Sequence, residues 1–331
     1  MRNAKGILLF AATSAALTAQ PGPGPHGPHG RMMGTLPNEM TSEANPLTPA
    51  KIDLGRMLFY DPRLSKDGTV SCNSCHALDN YGADGTPVST GHQGLKGTRN
   101  SPTVYNAAGH ILQFWDGRAA SVEEQAKGPV LNPVEMAMPS PEAAEARLRA
   151  IPGYVRLFQQ AFPDSPEPVT FDNMAKAIGA FERRLVTPSR WDRFLSGDRR
   201  AITDQEFSGH HEFMHAGCAQ CHNGPYVGGG SLQKAGKVKP WPVSADLGRM
   251  GVTKAETDRM VFKVPSLRNA AKTAPYFHDG SAADLSEAIR MMGIHQLGIT
   301  LDPAQVRAIR TWLGSLTGDI PKDYVRPPQL P

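Results

Sequence analysis

Two short motifs contain all four cysteines of this 331-residue chain. Both follow the pattern Cys-x-x-Cys-His, the first over residues 72–76 and the second over residues 218–222. In this pattern the two thiols react with the vinyl groups of a haem, and the adjacent histidine becomes the proximal ligand of the iron. The sequence therefore predicts two covalent c-type haems, held by Cys72, Cys75, His76, Cys218, Cys221 and His222.

A dithiol redox pair and a zinc ribbon are the two other common uses of paired cysteines. A redox pair does not need a histidine at the same offset twice. The two cysteine pairs lie 146 residues apart, whereas a zinc cluster usually draws its ligands from a short stretch. Haem attachment is therefore the favoured interpretation, and no cysteine is left for a disulfide or a thiol nucleophile.

The beginning of the chain has the three regions of a secretory signal. A charged start at residues 1–5 precedes an apolar run at residues 6–17, and small residues follow. We expect a signal peptide over residues 1–19. About twelve apolar residues are too few for a membrane anchor, since a spanning helix needs about 20. The expected product is a soluble, exported protein of the periplasm without a membrane span, since c-type haem attachment takes place outside the cytoplasm.

The formal charge of +4 does not indicate a nucleic-acid partner. Removal of Arg2 and Lys5 with the signal lowers it by two charges, and the propionates of two haems add further negative charge. The chain also contains no basic run. We therefore expect a near-neutral holoprotein that does not bind nucleic acid.

Length and composition predict two domains. The chain is 40% hydrophobic, which is enough for two ordinary cores with one haem in each. We expect an N-terminal domain over residues 46–188 and a C-terminal domain over residues 189–331. Residues 20–45 are rich in Pro, Gly and His and predict a flexible tail, in which His26 and His29 belong to a solvated linker rather than a metal site.

The strong periodic segments are helical. Helix starts with a capping residue or a first-turn proline are predicted at Thr48-Pro49, Ser140-Pro141, Thr203–Glu206, Asp284–Glu287 and Asp302-Pro303. The first helix should reach Phe59, and the second should end near Ile151. Apolar faces are predicted for Met174, Ile178, Phe181 and Leu185, and for Val306, Ile309, Leu313 and Leu316. No run alternates with period two, so we expect a mostly α fold of two cytochrome c-like domains with long Gly/Pro-rich loops.

The sixth ligand of each iron decides whether a haem transfers electrons or performs chemistry. For the first haem the candidate is His92, which lies between two glycines sixteen residues after His76. An exposed loop histidine is an equally good interpretation of the pattern. For the second haem the candidates are Met292 and His295; methionine would raise the reduction potential and histidine would lower it. Met292 also shares a helical face with core residues, so a packing role is an alternative.

Between and around the motifs, residues 47–318 resemble the bacterial di-haem cytochrome c peroxidases, in the superfamily that includes the MauG-like maturases. The resemblance covers most of the chain, and its matches occur in the family's order. The matching stretches are residues 100–106, 114–119, 124–126, 132–136, 262–269, 273–280 and 296–298.

The resemblance implies a role for each matching position. His92 matches the dissociable sixth ligand of an N-terminal, peroxidatic haem, and Met292 matches the ligand of a C-terminal, electron-transferring haem. Glu135 matches the acid/base residue of the peroxide pocket, with Gln125 beside it, and Trp115 matches the aromatic between the haems. These roles are chemically coherent, because peroxide needs a vacated iron position and a carboxylate that relays a proton.

A calcium site at the domain interface is also implied. Asn100 and the main-chain carbonyls of Thr273 and Pro275 match its ligands, and amide and carbonyl oxygens suit this hard cation. A homodimer is expected from the resemblance alone.

The implied activity is reduction of hydrogen peroxide to water with electrons from a small cytochrome c or a cupredoxin. One alternative is a MauG-like maturase that oxidises a partner protein, but that branch lacks the histidine at position 92 and has a tyrosine at position 292. A second alternative is a non-enzymatic dihaem electron carrier or sensor, in which Glu135 and Gln125 would have no task.

One further motif matches a known metal-binding pattern, but its context does not favour a metal site. Residues 211–215 fit the His-Glu-x-x-His pattern of zinc proteases. The pattern ends three residues before Cys218, and no third ligand follows at a suitable spacing. A structural helix with unrelated histidines is the favoured interpretation.

Overall fold

The computed structural model describes Met1 and residues 33–242 and 245–331. The rest of the predicted signal peptide and the tail up to residue 32, with His26 and His29, lie outside the described residues. The helices are α1 Pro49–Tyr60, α2 Cys72–Cys75, α3 Val122–Leu131, α4 Pro141–Arg149, α5 Pro152–Ala161, α6 Phe171–Glu182, α7 Arg190–Leu195, α8 Asp204–His215, α9 Met250–Thr253, α10 Leu285–Met291 and α11 Pro303–Ser315. The strands are β1 Leu232–Lys234 and β2 Val261–Lys263, which pair antiparallel.

The helix starts predicted from capping residues are confirmed. At each of them the side chain of the capping residue accepts a hydrogen bond from a main-chain N–H of the first turn, which satisfies a donor that the helix itself leaves free. These capping residues are Thr48, Ser140, Thr203, Asp284 and Asp302.

Two helix ends differ from the predicted pattern. α4 ends at Arg149 and α5 begins at Pro152; Ile151 between them is extended, as expected for a residue that precedes a proline. Leu185 lies beyond the end of α6, but it is fully buried with the rest of the predicted face. The apolar pattern therefore identified core positions correctly even where it overestimated the length of the helix.

Two hydrophobic cores form around helices that cross each other. In the first, α1 and α3 pack on α6, and Leu54, Leu58 and Phe181 are fully buried. In the second, α8 packs on α11, and Phe213 and Trp312 lie inside. The end of the chain returns to the first core, where Val325 packs among its side chains.

A glycine permits the closest approach in each helix pair. A Cβ atom on Gly55 of α1 would lie 1.9 Å from the carbonyl oxygen of Ala177 in α6. A Cβ atom on Gly209 of α8 would lie 2.0 Å from the carbonyl oxygen of Ala308 in α11. The helix that precedes each cysteine motif is thus pressed against the last long helix of its own core.

The described part of the predicted flexible tail is packed, so the expectation is wrong for residues 33–45. Met33 and Met40 are buried, and Met33 belongs to the second core. The main-chain N–H of Leu36 donates to Asp192 at 2.8 Å, and Asn45 donates to Glu123 at 3.0 Å. Buried carboxylates far away in the chain supply the acceptors that hold this segment.

The two halves also repeat a stretch of backbone geometry. Asn106 and Asn269 lie 163 residues apart, and both have left-handed backbones, with φ of 63° and 61°. Phe114 and Phe277, separated by the same offset, have φ of 65° and 72°. The segments from residues 100 and 263 onward are therefore equivalent parts of the two halves.

Equivalent hydrogen bonds join the halves across this repeat. The N–H of Asn100 donates to the carbonyl of His278 at 2.8 Å, and the N–H of Lys263 donates to the carbonyl of Trp115 at 2.7 Å. Asn100 corresponds to Lys263 and Trp115 to His278 by the 163-residue offset. The two halves thus meet about an approximate two-fold axis at these residues.

No helix in the described ranges is both long and apolar enough to cross a bilayer.

Substitution of the crossing glycine by alanine is expected to destabilise the fold. In Gly209→Ala the new methyl group collides with the Ala308 carbonyl, and the helices must separate at a cost of about 2 kcal/mol or more. The matched control is Gly314→Ala in α11, where no heavy atom lies within 4 Å of the added Cβ. That variant is expected to be stabilised by about 0.5–1 kcal/mol. Denaturant unfolding measures both, and equal free energies of unfolding for the two variants would contradict the tight crossing.

Candidate functional site

A cavity of about 1170 Å³ extends through both halves of the protein. It exceeds the upper range of about 1,000 Å³ for sites that hold one small ligand. Its walls include every thiol and imidazole of the two Cys-x-x-Cys-His motifs, so the residues fit two large covalently attached groups that lie close together. These wall residues are Cys72, Cys75, His76, Cys218, Cys221 and His222.

The two motif histidines have the properties of iron ligands. Burial lowers the pKa of His76, and it lowers the pKa of His222 to about 4. Both rings are therefore neutral near pH 7. Nδ1 of His76 lies 3.4 Å from the carbonyl of Gly82, and the carbonyls of Val227 and Pro265 lie near the ring of His222. At His76, a proton held on Nδ1 by this carbonyl leaves the Nε2 lone pair for a metal. Nδ1 of His222 is buried and has no hydrogen-bond partner within the described residues.

The motif thiols and the His-Glu-x-x-His segment are the residues that the sequence offers for a zinc site. Burial raises the pKa of Cys72 and Cys75, and raises the pKa of Cys218 to about 11. Residues 211–215 lie at the end of α8. In the part of the chain that the structure describes, no group of three or more His, Cys, Asp or Glu side chains is placed to hold a metal ion.

Glu135, Gln125 and Trp115 line the cavity together with the first motif. Asn132 donates its side-chain N–H to Oε1 of Glu135 at 2.8 Å. Burial raises the pKa of Glu135, while the positive charge of Arg118 opposes this shift. A carboxyl group with a raised pKa, fixed through one oxygen, has the second oxygen free to take up and release a proton.

Arg118 and Asn132 were not predicted from the sequence as neighbours of Glu135. Arg118 lies over the ring of Phe114 at 3.4 Å from its centroid, which fixes the guanidinium beside the cavity. Both residues fall inside stretches of the family resemblance. The bond from Asn132 spans only three residues, whereas the charge of Arg118 acts on Glu135 from a distant part of the sequence.

His92 is buried beside the cavity and does not form part of its wall. Its Nδ1 lies 2.9 Å from Oδ2 of Asp67, and its main-chain N–H donates to the carbonyl of Glu135 at 2.8 Å. A Cβ atom on the preceding Gly91 would lie 2.1 Å from the carbonyl oxygen of Val134. The loop that carries His92 is thus in direct contact with the main chain of Glu135.

The two candidate ligands of the second haem occupy different environments. Met292 lines the cavity, at the point where α10 passes into a π-helical turn over Met292–Leu297. His295 is not part of the wall; its ring lies 5.3 Å from that of Trp241, and its carbonyl accepts from Val238 and Lys239. At the 163-residue offset, the position equivalent to Met292 in the first half is Pro129, which also lines the cavity.

The three candidate calcium ligands also line this cavity. Asn100 donates its side-chain N–H to the carbonyl of Thr86 at 2.9 Å, which leaves its Oδ1 as an available acceptor. Its own carbonyl accepts from the indole N–H of Trp115 at 2.9 Å. Thr273 and Pro275 belong to the wall with it. One amide oxygen and two carbonyl oxygens are donors suited to calcium, which completes its shell with water.

Glu182, another wall residue, was not singled out from the sequence. It is fully buried, and burial together with the nearby charge of Glu123 raises its pKa to about 8. This carboxyl is therefore largely protonated at neutral pH and adds little negative charge beside Cys72.

Comparison with known proteins identifies the family. Residues 49–200 match the model of the family described as di-haem cytochrome c peroxidase. The chain is 46% identical over 302 residues to the cytochrome c551 peroxidase of Pseudomonas aeruginosa, covering 89% of this chain and 86% of that protein. It is 47% identical over 289 residues to the cytochrome c551 peroxidase of Nitrosomonas europaea, covering 86% of each chain.

More distant relatives include proteins that are named MauG or MauG-like. The methylamine utilization protein MauG of Methylorubrum extorquens is 38% identical over 251 residues, which cover 75% of this chain. Among solved structures, a MauG-like protein associated with microbial copper homeostasis has a TM-score of 0.78 at 30% identity, covering 88% of this chain and 97% of that one. The chain belongs to the di-haem cytochrome c peroxidase family, and it is an oxidoreductase of the cytochrome c peroxidase type that uses haem.

Proposed function

We propose that this chain is a periplasmic enzyme that reduces hydrogen peroxide to water with electrons from a small cytochrome c or cupredoxin. Residues 46–188 form a cytochrome c-like domain that carries the peroxidatic haem c. Residues 189–331 form a second one, which carries the electron-transferring haem c. The covalent links run through the two cysteine pairs, and a homodimer is the expected assembly.

One observation supports these different roles of the two domains. Equivalent positions of the cavity wall carry different side chains in the two halves. The second half offers Met292, whose side chain has a sulfur donor atom. The first half has Pro129 at the equivalent position, whose side chain has no donor atom. In the first half, Gln125 stands where the second half has Ala288, and Glu135 lies nearby. This asymmetry supports an open iron position beside acid and amide groups in the first half and a closed one in the second.

Haem iron, when bound, supplies the electron-transfer chemistry by which peroxide is cleaved. The residues around the first motif prepare the substrate. Gln125 binds peroxide through its amide, while the unbonded oxygen of Glu135 accepts a proton from one peroxide oxygen and returns it to the other. Asn132, which holds Oε1 of Glu135, keeps that carboxyl in place. Because burial raises its pKa, Glu135 is a stronger base than an exposed carboxylate and takes up the peroxide proton more readily.

His92 serves as the dissociable ligand, and its bond to Asp67 supports this role. A ligand that leaves the iron needs a partner elsewhere, since a buried imidazole N–H without an acceptor is costly. Asp67 Oδ2 at 2.9 Å supplies that acceptor, which supports a role in which the imidazole leaves the iron.

Trp115 serves as the bridge between the two halves, and calcium fixes its position. The indole N–H bond to the carbonyl of Asn100 links this ring directly to the proposed calcium ligands, which are completed by Thr273 and Pro275. An ion held from both halves would restrain the junction and the ring together.

A maturase that oxidises a partner protein is the second candidate, since the structural relative at 30% identity is described as MauG-like. His92 and Met292 favour the peroxidase, because the maturase branch lacks the histidine and has a tyrosine at the second position. In a non-enzymatic electron carrier, Glu135 and Gln125 would have no function in the cavity.

We expect the holoenzyme to turn over hydrogen peroxide with reduced small cytochrome c, and Glu135→Gln to lower kcat by about 10² or more. An amide retains the size of the side chain but cannot exchange the proton. Steady-state kinetics measure both values. The matched control is Glu167→Gln, which removes an exposed carboxylate and should leave the rate unchanged. An unaltered rate in Glu135→Gln would exclude the proton relay, and absence of turnover in wild-type protein with both haems would exclude the peroxidase.

Met292→Ala is expected to abolish the methionine-to-iron charge-transfer band of the oxidised protein, because the sulfur ligand is lost. His295→Ala should retain the band, since that ring lies outside the cavity wall. Near-infrared absorption of the two variants distinguishes the ligands. If the band survives in Met292→Ala, another residue is the sulfur ligand of the second haem iron.

Asp67→Ala is expected to shift the half-reduced protein toward the low-spin form, because His92 loses the acceptor that holds it away from the iron. Electron paramagnetic resonance of the first haem measures the high-spin fraction. Asp164→Ala removes an exposed carboxylate elsewhere and serves as the control. Identical spin populations in the two variants would contradict the role of Asp67.

A further inference from the structure

Lys263 is a buried cation in the wall of the cavity. It belongs to β2 and is only 8% exposed. Its ammonium group has Nδ1 of His110, at 3.1 Å, as its hydrogen-bond partner in the described part of the chain. No charged neighbour there offsets the desolvation that lowers its pKa to about 8. A buried ammonium without an anion is costly, so this position calls for a negative group.

His110 provides a second, independent indication. Burial and the charge of Lys263 hold the pKa of His110 well below its ordinary value, so the ring is neutral. Because Nδ1 accepts from the ammonium group, the ring proton lies on Nε2. Within the described ranges Nε2 is buried and has no hydrogen-bond partner. The ammonium group of Lys263 and the Nε2–H of His110 thus line the same cavity. The described residues do not supply a hydrogen-bond acceptor for each of their protons.

The other buried cations of this region are already neutralised. Arg99 bonds both Asp116 and Asp246, and Arg268 forms a buried pair with Asp192. Among the wall carboxylates, Asp116 and Asp246 are paired with Arg99, and Glu135 and Glu182 have raised pKa values. Asp279 also lines the wall, but in the described ranges it forms no ion pair with Lys263. An anion for Lys263 would therefore come with the group that fills the cavity.

We propose that Lys263 binds a propionate carboxylate of a haem and that His110 holds the ammonium group in position for it. The inference rests on the haem placement of the proposed function and adds a residue that recognises the non-covalent, anionic edge of the cofactor. Each haem brings two propionates, and an ammonium–carboxylate pair removes the cost of burial for both partners.

The internal repeat supports the same assignment. Lys263 corresponds to Asn100, and His110 corresponds to Thr273. The first pair, Asn100 and Thr273, and the second pair, Lys263 and His110, therefore occupy equivalent places about the approximate two-fold axis. In the first pair the oxygens suit a bound cation. In the second pair the chain supplies the cation itself, as the ammonium group of Lys263. The two equivalent positions thus place positive charge on both sides of the junction.

The test compares the reduction potentials of both haems in Lys263→Met and wild-type holoenzyme by spectroelectrochemistry. Loss of the cation favours the oxidised iron, so the ratio of reduced to oxidised haem at a fixed electrode potential should fall about tenfold for at least one haem, which corresponds to about 59 mV for one electron. Lys263→Arg keeps the charge and should stay near wild type. Lys322→Met removes an exposed charge and should not shift either potential.

The haem content of every sample is measured first by the pyridine haemochrome method. Wild-type protein without two haems contradicts the proposed function, whereas loaded Lys263→Met with unshifted potentials overturns only the present inference. If the methionine variant fails to take up haem, resonance Raman spectra of the wild-type holoenzyme in H₂O and D₂O decide the matter. A propionate bending band that shifts on deuteration supports the ammonium contact, and an unshifted band overturns it.

Discussion

Two main-chain hydrogen bonds join the two halves of this protein at the wall of the cavity. The N–H of Asn100 reaches the carbonyl of His278, and the N–H of Lys263 reaches the carbonyl of Trp115. Because these bonds are related by the internal repeat, they place the rings of Trp115 and His278 next to each other, with centroids 6.4 Å apart. The cavity is continuous between the two cysteine motifs because the halves meet in this way.

Function arises where the halves depart from this symmetry. The repeated framework conserves backbone conformation, including left-handed residues such as Phe114 and Phe277, and so it presents equivalent wall positions to both motifs. A sulfur donor lies at 292 and a proline at 129, so the two motifs face different side chains at equivalent wall positions. Charge differs in the same way: one junction position has the neutral oxygens of Asn100, and the equivalent one has the ammonium group of Lys263. In the proposed function this difference separates a reactive centre from an electron-transferring one.

The sequence predicted those features that local patterns encode. The cysteine motifs identified the cavity wall, and capping residues such as Thr203 and Asp302 located helix starts, because each satisfies donors within one turn. Features that depend on distant contacts were missed. Asn45 finds its acceptor 78 residues away at Glu123, and Lys263 meets His110 across 153 residues. The offset of 163 residues was visible in the sequence, and it would have pointed to Lys263 as the partner of Asn100 in the repeat.

The loop that carries His92 and the main chain of Glu135 are in direct contact in this structure. The carbonyl of Glu135 accepts from the N–H of His92, and Gly91 packs so closely on Val134 that no side chain fits between them. Because Gly91 and the N–H of His92 are both held against residues 134–135, the loop that carries His92 and the main chain of Glu135 are packed as one unit. Protein interiors are close-packed and change between discrete arrangements rather than by gradual deformation. On the proposed function, a displacement of this loop would therefore also disturb the position of the Glu135 carboxyl.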